Sequence, residues 1–338
     1  MHATKSKPSV GVIGASGYAG VEATRILASH SGVSLELVTS DRWNGKTLES
    51  AMAISGAAGR LHFVDMSRAG ETAADLDAVI LATPAAVSMA IAPTLLDRGV
   101  HVVDMSGAFR LTNAALYSEF YGFEHSSADL LYAAIYGIPE LFRESLRGAK
   151  LVASGGCYAT AAALALAPLA QAALIGAGTI VIDALSGTTG AGRSSKEDLS
   201  FSEIDGNARA YRVLRHQHTP EITQTLVRVG KNAPHVIFTP HLVPMRRGIL
   251  ATTYVPLGHG VSVDAVHAAY AHNYAYSPFV RVLGSPEDVE VGNVVGTNRC
   301  DVGFAISESR DEKTPTLVVV SALDNLLIWH HFRTAMVV

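Results

Sequence analysis

The sequence predicts an α/β protein of two domains, and three observations support that fold class. The chain has 338 residues, which exceeds one typical domain. Its first half alternates short apolar strands with helices, and its second half carries longer strands. We therefore expect a doubly wound parallel sheet in residues 1–155. An α+β domain on a mostly antiparallel or mixed sheet should follow in residues 156–322.

The first half is built from βαβ units. Two stretches, YAGVEATRILASH and AVSMAIAPTLLDRG, have apolar residues at helical spacing. Around them lie segments that are continuously apolar and rich in β-branched residues, as strands buried on both faces are. These predicted strands are SVGVIG (9–14), LELVTS (35–40), DAVILAT (77–83) and HVVDMS (101–106).

The second half changes character from about Thr179 onward. VDAVHAAYAHNYA is predicted as a helix. The predicted strands are TIVIDALSG, HVIFTPHLVPM, GILATTYVPLG, DVGFAISES and TLVVVSALD. Long strands that are not separated by regular helices indicate an α+β arrangement.

Composition and charge exclude several classes of protein. The net charge is −4 and there is no basic run, which argues against nucleic acid and against an anionic membrane surface as partners. Two cysteines form neither a disulfide framework nor a zinc motif, so no metal site is expected. The longest apolar runs are alanine-rich and are interrupted by Pro168 and Gln171, which is unlike a membrane span. The N-terminus lacks the apolar core of a signal peptide. We expect a cytoplasmic enzyme or binding protein.

A glycine motif follows the first predicted strand, in VGVIGASGYAG. Gly14, Gly17 and Gly20 stand where a strand turns into a helix, as in the dinucleotide-binding fingerprint. Side chains must be absent where a pyrophosphate approaches the helix N-terminus. The spacing is G-x-x-G-x-x-G, and helix packing alone is the alternative explanation. The motif predicts a Rossmann-type nucleotide domain.

The end of the second strand, TSDRWNGK, bears on the choice of nucleotide. Asp41 stands where a carboxylate favours NAD, whereas Ser40 and Arg42 are suited to the 2′-phosphate of NADP. Arg42 as an ordinary solvated charge is the alternative. We favour NADP(H) as the cofactor.

Cys157 follows two glycines and precedes a long Ala/Leu run, in LVASGGCYATAAALALAPLA. The pattern predicts that the thiol sits in the first turn of a helix. There the backbone N–H groups and the helix dipole favour the thiolate, which is the nucleophilic form. An inert, packed cysteine is the alternative, because cysteine is among the most buried residue types.

A polar segment, residues 186–222, brings together groups suited to anions and to proton transfer. It opens with Gly, Ser and Thr around Arg193 and Lys196 and ends with His216 and His218 before Thr-Pro-Glu. Pro220 and the acidic residue after it predict a helix start, so the histidines should lie on the loop that enters it. Histidine has the pKa for proton transfer near neutrality. Two exposed loop histidines are the alternative.

A nucleotide domain, a thiol at a helix start and histidines together indicate reduction of an acyl group through a thioester. On ten segments the chain resembles the N-acetyl-γ-glutamyl-phosphate reductase family of the semialdehyde dehydrogenase superfamily, which acts in arginine biosynthesis. These segments are GASGYAG, DMSGAFRL, LYSEFYGFEH, YGIPEL, GCYAT, SGTTGAGR, ARAY, HQHTPEI, RRGILATTY and ALDNL.

The resemblance implies NADPH-dependent reduction of a small acyl phosphate, N-acetyl-L-glutamyl 5-phosphate, by a homodimer or homotetramer whose second domain is catalytic and dimerising. It makes Cys157 the nucleophile and draws the acid/base from His216 and His218; we favour His216, with His218 orienting the loop. The implied substrate-binding residues are Arg110, Ser186, Gly187, Tyr211 and Glu221. The implied cofactor-binding residues are Gly14, Ser16, Gly17, Tyr18, Ala19, Gly20, Ser40, Arg42, Pro84 and Asn325.

The chain departs from the family pattern at three places. Ser154-Gly155 and Ala159 stand where the family usually has Asn-Pro and Pro, and Pro84-Ala85 stands for Pro-His. The family's last helix packs back on the cofactor domain. We expect the same of segment 323–338, although its sequence differs.

Two alternatives remain open. A related reductase of lysine biosynthesis acts on an aminoadipyl phosphate held by a carrier protein and shares the Ala-Thr after the nucleophile region. A redox-sensing nucleotide-binding regulator is the alternative from another class. It would not need Arg110, Cys157 and His216 together.

Overall fold

The computed structural model describes residues 7–230, 232–307 and 315–327, and these form two compact units. The first unit holds residues 7–115 and 124–155, and the second holds 116–123 and the described residues from 156 onward. Residues 323–327 therefore cluster with the second unit. The rest of the segment expected to pack back, 328–338, lies outside the described residues.

The first part of the chain alternates strands and helices. Its elements are β1 (Ser9–Ile13), α1 (Tyr18–Ser29), β2 (Ser34–Thr39), α2 (Leu48–Met52), α3 (Gly56–Gly59), β3 (Phe63–Val64), α4 (Ala69–Thr72), β4 (Ala78–Leu81), α5 (Ala85–Asp97), β5 (His101–Asp104), α6 (Ala115–Phe120), α7 (Ala128–Ala133), β6 (Ile135–Gly137), α8 (Pro139–Leu146) and β7 (Leu151–Ser154), with a 3₁₀ turn at Met66–Arg68.

The first sheet has the order β3-β2-β1-β4-β5-β7-β6, and every pairing in it is parallel. Its central strand β4 is apolar and buried throughout, and β1 is so from Val10 to Ile13, as strands covered on both faces must be. The order reverses at β1 and β4, which is where an open α/β sheet binds its ligand. The predicted doubly wound sheet is confirmed, and the structure adds the short strands β3, β6 and β7, which the sequence analysis did not predict.

The second part of the chain is mixed. Its elements are α9 (Cys157–Gln171), β8 (Thr179–Ser186), α10 (Phe201–Ile204), β9 (Arg209–Ala210), α11 (His218–Gly230), β10 (His235–Leu242), β11 (Ile249–Pro256), α12 (Val263–Tyr274), β12 (Val280–Val282), α13 (Val291–Val294), β13 (Cys300–Ser307) and β14 (Thr316–Leu323), with 3₁₀ turns at Thr188–Ala191, Glu197–Leu199 and Pro286–Asp288.

The second sheet has the order β12-β13-β14-β11-β8-β10-β9. The pairs β8/β10 and β12/β13 are parallel and the others are antiparallel, so the predicted mixed sheet is confirmed. Buried residues alternate with half-buried ones along β8, β10 and β11. The buried face packs on α9, where Ser321 of β14 donates to the carbonyl of Ala161. Small side chains along α9 allow the helix to be buried on all sides, from Tyr158 to Ala170.

Candidate active site

The glycine motif in the first unit separates into two kinds of position. Gly14 has φ +86°, and a Cβ there would stand 2.5 Å from the carbonyl oxygen of Ala82. A Cβ on Gly20 would stand 2.3 Å from the carbonyl oxygen of Gly14. The local fold therefore requires both glycines. Gly17, which caps α1, has its nearest neighbour at 3.6 Å, so packing does not require it. Its missing side chain leaves the N-terminus of α1 open to a ligand.

Polar groups that follow β1 and β2 meet beside this turn. Ser40 is buried, and its hydroxyl donates to that of Ser16 at 2.7 Å. Asp41 accepts a hydrogen bond from the backbone of Met66 at 3.0 Å, so part of its carboxylate is already engaged. Arg42 is exposed. The remaining predicted cofactor positions of this unit are Tyr18 and Ala19 in the first turn of α1, and Pro84 at the N-cap of α5.

Arg110 is buried in the first unit in the loop after β5. Its Nε donates to the carbonyl of Ser154 at 2.8 Å, and its Nη2 donates to the carbonyl of Met105 at 2.9 Å. Burial raises the pKa of Asp104, and this effect outweighs the nearby positive charge of Arg110, which lowers it. Asp104 also accepts hydrogen bonds from the backbone and the hydroxyl of Ser106. The guanidinium is therefore held in one orientation.

Cys157 is the first residue of α9, as predicted, and it is half-buried. The first turn of a helix presents N–H groups without intrahelical partners, and its dipole stabilises a negative charge. A partly exposed thiol in this place is the environment of a nucleophile, whereas an inert cysteine is typically fully buried. The other cysteine, Cys300, is buried in β13.

His218 and Glu221 pack against the start of α9. A Cβ on Gly156 would stand 2.2 Å from Nε2 of His218, so only glycine allows the imidazole to lie there. Glu221 is fully buried, and its Oε1 accepts the backbone N–H of Gly156 at 2.6 Å. Its Oε2 lies 3.7 Å from Nε2 of His218. One carboxylate thus faces both the N-cap of α9 and the imidazole.

The structure corrects two expectations about the histidines. His216 and His218 are 3% and 5% exposed, so the alternative of exposed loop histidines is wrong. His218 begins α11 instead of lying on the loop before it. The helix begins two residues before Pro220, and both imidazoles are buried because they pack on rings distant in sequence, such as that of Tyr158.

His216 sits in an aromatic box. Its Nδ1 accepts the backbone N–H of His218 at 3.2 Å. Burial, and then the nearby charges of His218 and Arg212, lower the pKa of His216 from 6.5 to about 2. Four rings meet it edge to face, namely Tyr158, Tyr211, His218 and Phe238. His216 is therefore neutral near neutral pH.

Tyr158 connects several predicted residues. Its hydroxyl donates to the carbonyl of His241 at 3.2 Å and accepts from the hydroxyl of Tyr211 at 3.3 Å. The hydroxyl of Ser186 lies within hydrogen-bonding reach of it. Gly187 follows Ser186, and a Cβ on Gly187 would stand 2.7 Å from the backbone of residue 247.

The sequence did not predict that Gly156, Tyr158 or Phe238 packs around the histidines of the site. A signal existed for the first two, because they flank Cys157.

Asn325 is buried in the second unit. Its Oδ1 accepts the backbone N–H of Gly248 at 2.7 Å, and its Nδ2 donates to the hydroxyl of Thr189 at 3.1 Å. These bonds connect the residues after β14 with the segment after β8 and with the residue before β11. Its side chain therefore has a structural task besides any contact with a cofactor.

The predicted residues fall into two groups. The cofactor positions from Gly14 to Pro84, together with Arg110, belong to the first unit. The second unit brings together Cys157, Ser186, Gly187, Tyr211, His216, His218 and Glu221, and it also holds Asn325. Across the described residues there is no cluster of three or more His, Cys, Asp or Glu side chains that could hold a metal ion. No helix in the described part of the chain is long and apolar enough to cross a membrane.

Two domain families match this chain. The one described as semialdehyde dehydrogenase, NAD binding domain, matches residues 9–149, and the one described as semialdehyde dehydrogenase, dimerisation domain, matches residues 157–325. The prediction of a nucleotide-binding first domain is thereby confirmed. The match to a dimerisation domain supports the expected oligomer without defining the number of subunits.

Solved structures share the fold. Aspartate semialdehyde dehydrogenase II from Vibrio cholerae has a TM-score of 0.74 at 15% identity, over 98% of this chain and 97% of that one. The aspartate semialdehyde dehydrogenase with NADP from Candida albicans has a TM-score of 0.67 at 15% identity, over 98% of this chain and 100% of that one.

Curated relatives are much closer in sequence. The N-acetyl-gamma-glutamyl-phosphate reductase of Desulfotalea psychrophila is 41% identical over 320 residues, covering 94% of this chain and 90% of the relative. The protein of the same name from Geobacillus stearothermophilus is 41% identical over 323 residues, covering 94% and 91%. The resemblance found in the sequence motifs is confirmed: the chain belongs to the N-acetyl-gamma-glutamyl-phosphate reductase family of the semialdehyde dehydrogenases, which are oxidoreductases.

Proposed function

We propose that this protein reduces N-acetyl-L-glutamyl 5-phosphate to N-acetyl-L-glutamate 5-semialdehyde and phosphate, with NADPH as reductant and a thioester on Cys157 as intermediate. Family membership supports the reaction, because the relatives carry the name of that reductase. The observation that carries the mechanism is the packing of His218 and Glu221 against Gly156, immediately before the thiol.

The thiolate of Cys157 attacks the acyl carbon, and the bond from that carbon to the phosphate oxygen breaks. The start of α9 stabilises the thiolate before attack. NADPH, when held at the glycine turn of the first unit, would supply the hydride that reduces the thioester. The resulting oxyanion takes a proton, and the carbon–sulfur bond then breaks to release the aldehyde and restore the thiol.

We assign the proton transfers to His218, although sequence reasoning favoured His216. A base works best when its pKa lies near the working pH, and burial holds the pKa of His216 at about 2. His218 has a buried carboxylate 3.7 Å from Nε2, which favours the protonated imidazole. His216 then serves as a neutral hydrogen-bonding group for the substrate.

The first unit fits a dinucleotide. The open N-terminus of α1 at Gly17 would take the pyrophosphate, and the hydrogen-bonded pair of Ser16 and Ser40 lies at the carboxyl ends of β1 and β2, where an adenosine ribose binds. The engagement of Asp41 by Met66 and the exposure of Arg42 favour NADP(H). The other assigned cofactor contacts are Gly14, Tyr18, Ala19, Gly20, Pro84 and Asn325.

The anionic substrate needs fixed donors. Arg110, held by two backbone carbonyls, is a suitable partner for a carboxylate or phosphate. We assign Ser186, Gly187 and Tyr211 as substrate contacts in the second unit. Glu221 acts indirectly, through its contacts with His218 and Gly156.

We infer that two copies of the chain pair through the second sheet to form a homodimer. We also infer that the protein acts in the cytoplasm. The face of β8, β10 and β11 turned away from α9 carries half-buried or exposed apolar side chains, among them Val181, Leu185, Ile237 and Tyr254. Such a face in a matched dimerisation domain fits a second copy of the chain. Sedimentation analysis distinguishes a dimer from a tetramer.

The experiment is the reverse reaction with N-acetylglutamate semialdehyde, phosphate and NADP⁺, followed by NADPH absorbance. We expect phosphate-dependent turnover that Cys157→Ser abolishes, while Cys300→Ser retains it. The carrier-linked aminoadipyl semialdehyde is run in parallel. Turnover of that compound alone, or full activity of Cys157→Ser, would contradict the proposal.

A further inference from the structure

We propose that Tyr158 is a positioning residue that sets the direction of a hydrogen-bond chain, and that the oxygen of Tyr211 consequently accepts a hydrogen bond from the amide N–H of the substrate. This inference rests on the proposed function.

The chain of hydroxyls ends on a backbone carbonyl. A carbonyl oxygen only accepts, so Tyr158, which lies 3.2 Å from the carbonyl of His241, must donate its single proton there. Its oxygen can then only accept from Tyr211, at 3.3 Å. Tyr211 must therefore donate to Tyr158. The direction of both bonds is fixed by the carbonyl at the end of the chain.

Tyr211 is thereby left with lone pairs that can accept from a further donor. It is only half-buried, whereas Tyr158 is 3% exposed, so Tyr211 is the member of the pair that a ligand can reach. Burial raises the pKa of Tyr211 to about 12; the negative charge of Cys157 adds to this effect, and the hydrogen bond with Tyr158 opposes it. The hydroxyl proton consequently stays on Tyr211 near neutral pH, and its lone pairs are available to a donor.

The chemistry of the proposed substrate identifies that donor. The carboxylate, the phosphate dianion and the acetyl carbonyl only accept hydrogen bonds near neutral pH. The amide N–H is the one donor that the molecule carries. A site that holds such a group rejects an analogue lacking it more strongly than a site that only matches shape, because the analogue leaves a polar group unpaired.

The test compares two substrates in the reverse reaction. One is N-acetylglutamate semialdehyde, and the other is 2-acetoxyglutarate 5-semialdehyde, in which an ester oxygen replaces the amide N–H. We expect the wild type to favour the amide by about tenfold or more in kcat/KM, chiefly through KM. Tyr211→Phe should bring this ratio close to one. Tyr158→Phe should lower it several-fold, because the proton of Tyr211 is then free to turn toward the substrate.

The matched control is Tyr270→Phe. Tyr270 is a fully buried tyrosine of the same unit, and its hydroxyl also donates to a backbone carbonyl, that of Ala165 at 2.5 Å. This variant should lose thermal stability and keep the amide-to-ester ratio of the wild type. A general effect of losing a buried hydroxyl would appear in it as well.

Each outcome has a separate meaning. A wild-type ratio near one, or an unchanged ratio in Tyr158→Phe, overturns the inference and leaves the reductase function intact. If Tyr158→Phe does not fold, the half-buried Tyr211→Phe still tests the acceptor, and an unchanged ratio there overturns the inference too. A wild type that turns over neither compound contradicts the proposed function instead.

Discussion

Replacement of Gly156 by alanine isolates the packing of His218 against the start of α9. Gly156 has φ −69° and ψ 151°, which alanine adopts without strain, so the change acts through the added methyl group. That methyl would stand 2.2 Å from Nε2 of His218, whereas ordinary contacts begin at 3.4 Å. The imidazole must therefore move by about 1.2 Å, the difference between these two distances. A misplacement of about 1 Å costs about 10²-fold in rate, so we expect kcat to fall about 100-fold.

The assay combines turnover with binding and folding. NADPH formation from the semialdehyde gives kcat, quenching of protein fluorescence gives NADP⁺ affinity, and thermal unfolding reports stability. Gly292→Ala is the matched control, because it adds a methyl group in α13 where nothing lies within 4 Å. We expect NADP⁺ affinity to be unchanged in both variants. If Gly156→Ala keeps kcat within about threefold of the wild type, the placement of His218 does not depend on this contact, and our assignment of the proton transfers to it fails.

Three further predictions concern the cofactor, the glycine turn and His216. Arg42→Ala should raise KM for NADPH about tenfold or more and leave KM for NADH nearly unchanged; equal effects would make Arg42 a bystander. Gly14→Ala should lower the free energy of unfolding by about 2 kcal/mol or more in urea titrations, because its φ of +86° is joined by a clash with a carbonyl. Gly45→Ala, with φ +77° and open space around it, should cost only about 1 kcal/mol. His216 has its pKa lowered to about 2, so the unfolded chain binds more protons below pH 6.5. The unfolding free energy of the protein should therefore fall with decreasing pH by up to about 1.4 kcal/mol per pH unit. His216→Gln should flatten that slope, and an unchanged slope would show that His216 titrates normally.

Local patterns predicted the parts of this molecule that local forces determine. The first sheet followed from continuous apolar strands, and Cys157 was placed at a helix start from the two glycines before it and the Ala/Leu run after it. Gly14 and Gly20 are set by the turn itself. The strands that were missed, such as β3 and β6, are two or three residues long, which is too short for a periodicity.

Tertiary packing determined what the sequence did not predict. The need for glycine at position 156 comes from His218 on α11, and nothing near Gly156 in the chain announces it. The polar neighbours of His216 favour an exposed loop, yet Tyr158 and Phe238 enclose it from two other elements. A pattern confined to one segment carries no information about such contacts.

The two histidines differ because the chain changes conformation between them. His216 lies in the loop and accepts the backbone N–H of His218, so its ring is turned into the aromatic box. His218 begins α11. Glu221 is three residues further along the same helix and therefore lies on the same face, next to the imidazole of His218. The helix thus gives one imidazole a carboxylate partner, while the loop gives the other only rings and a nearby positive charge. The start of the helix therefore gives the two imidazoles different surroundings, and the division of roles that we propose for them depends on it.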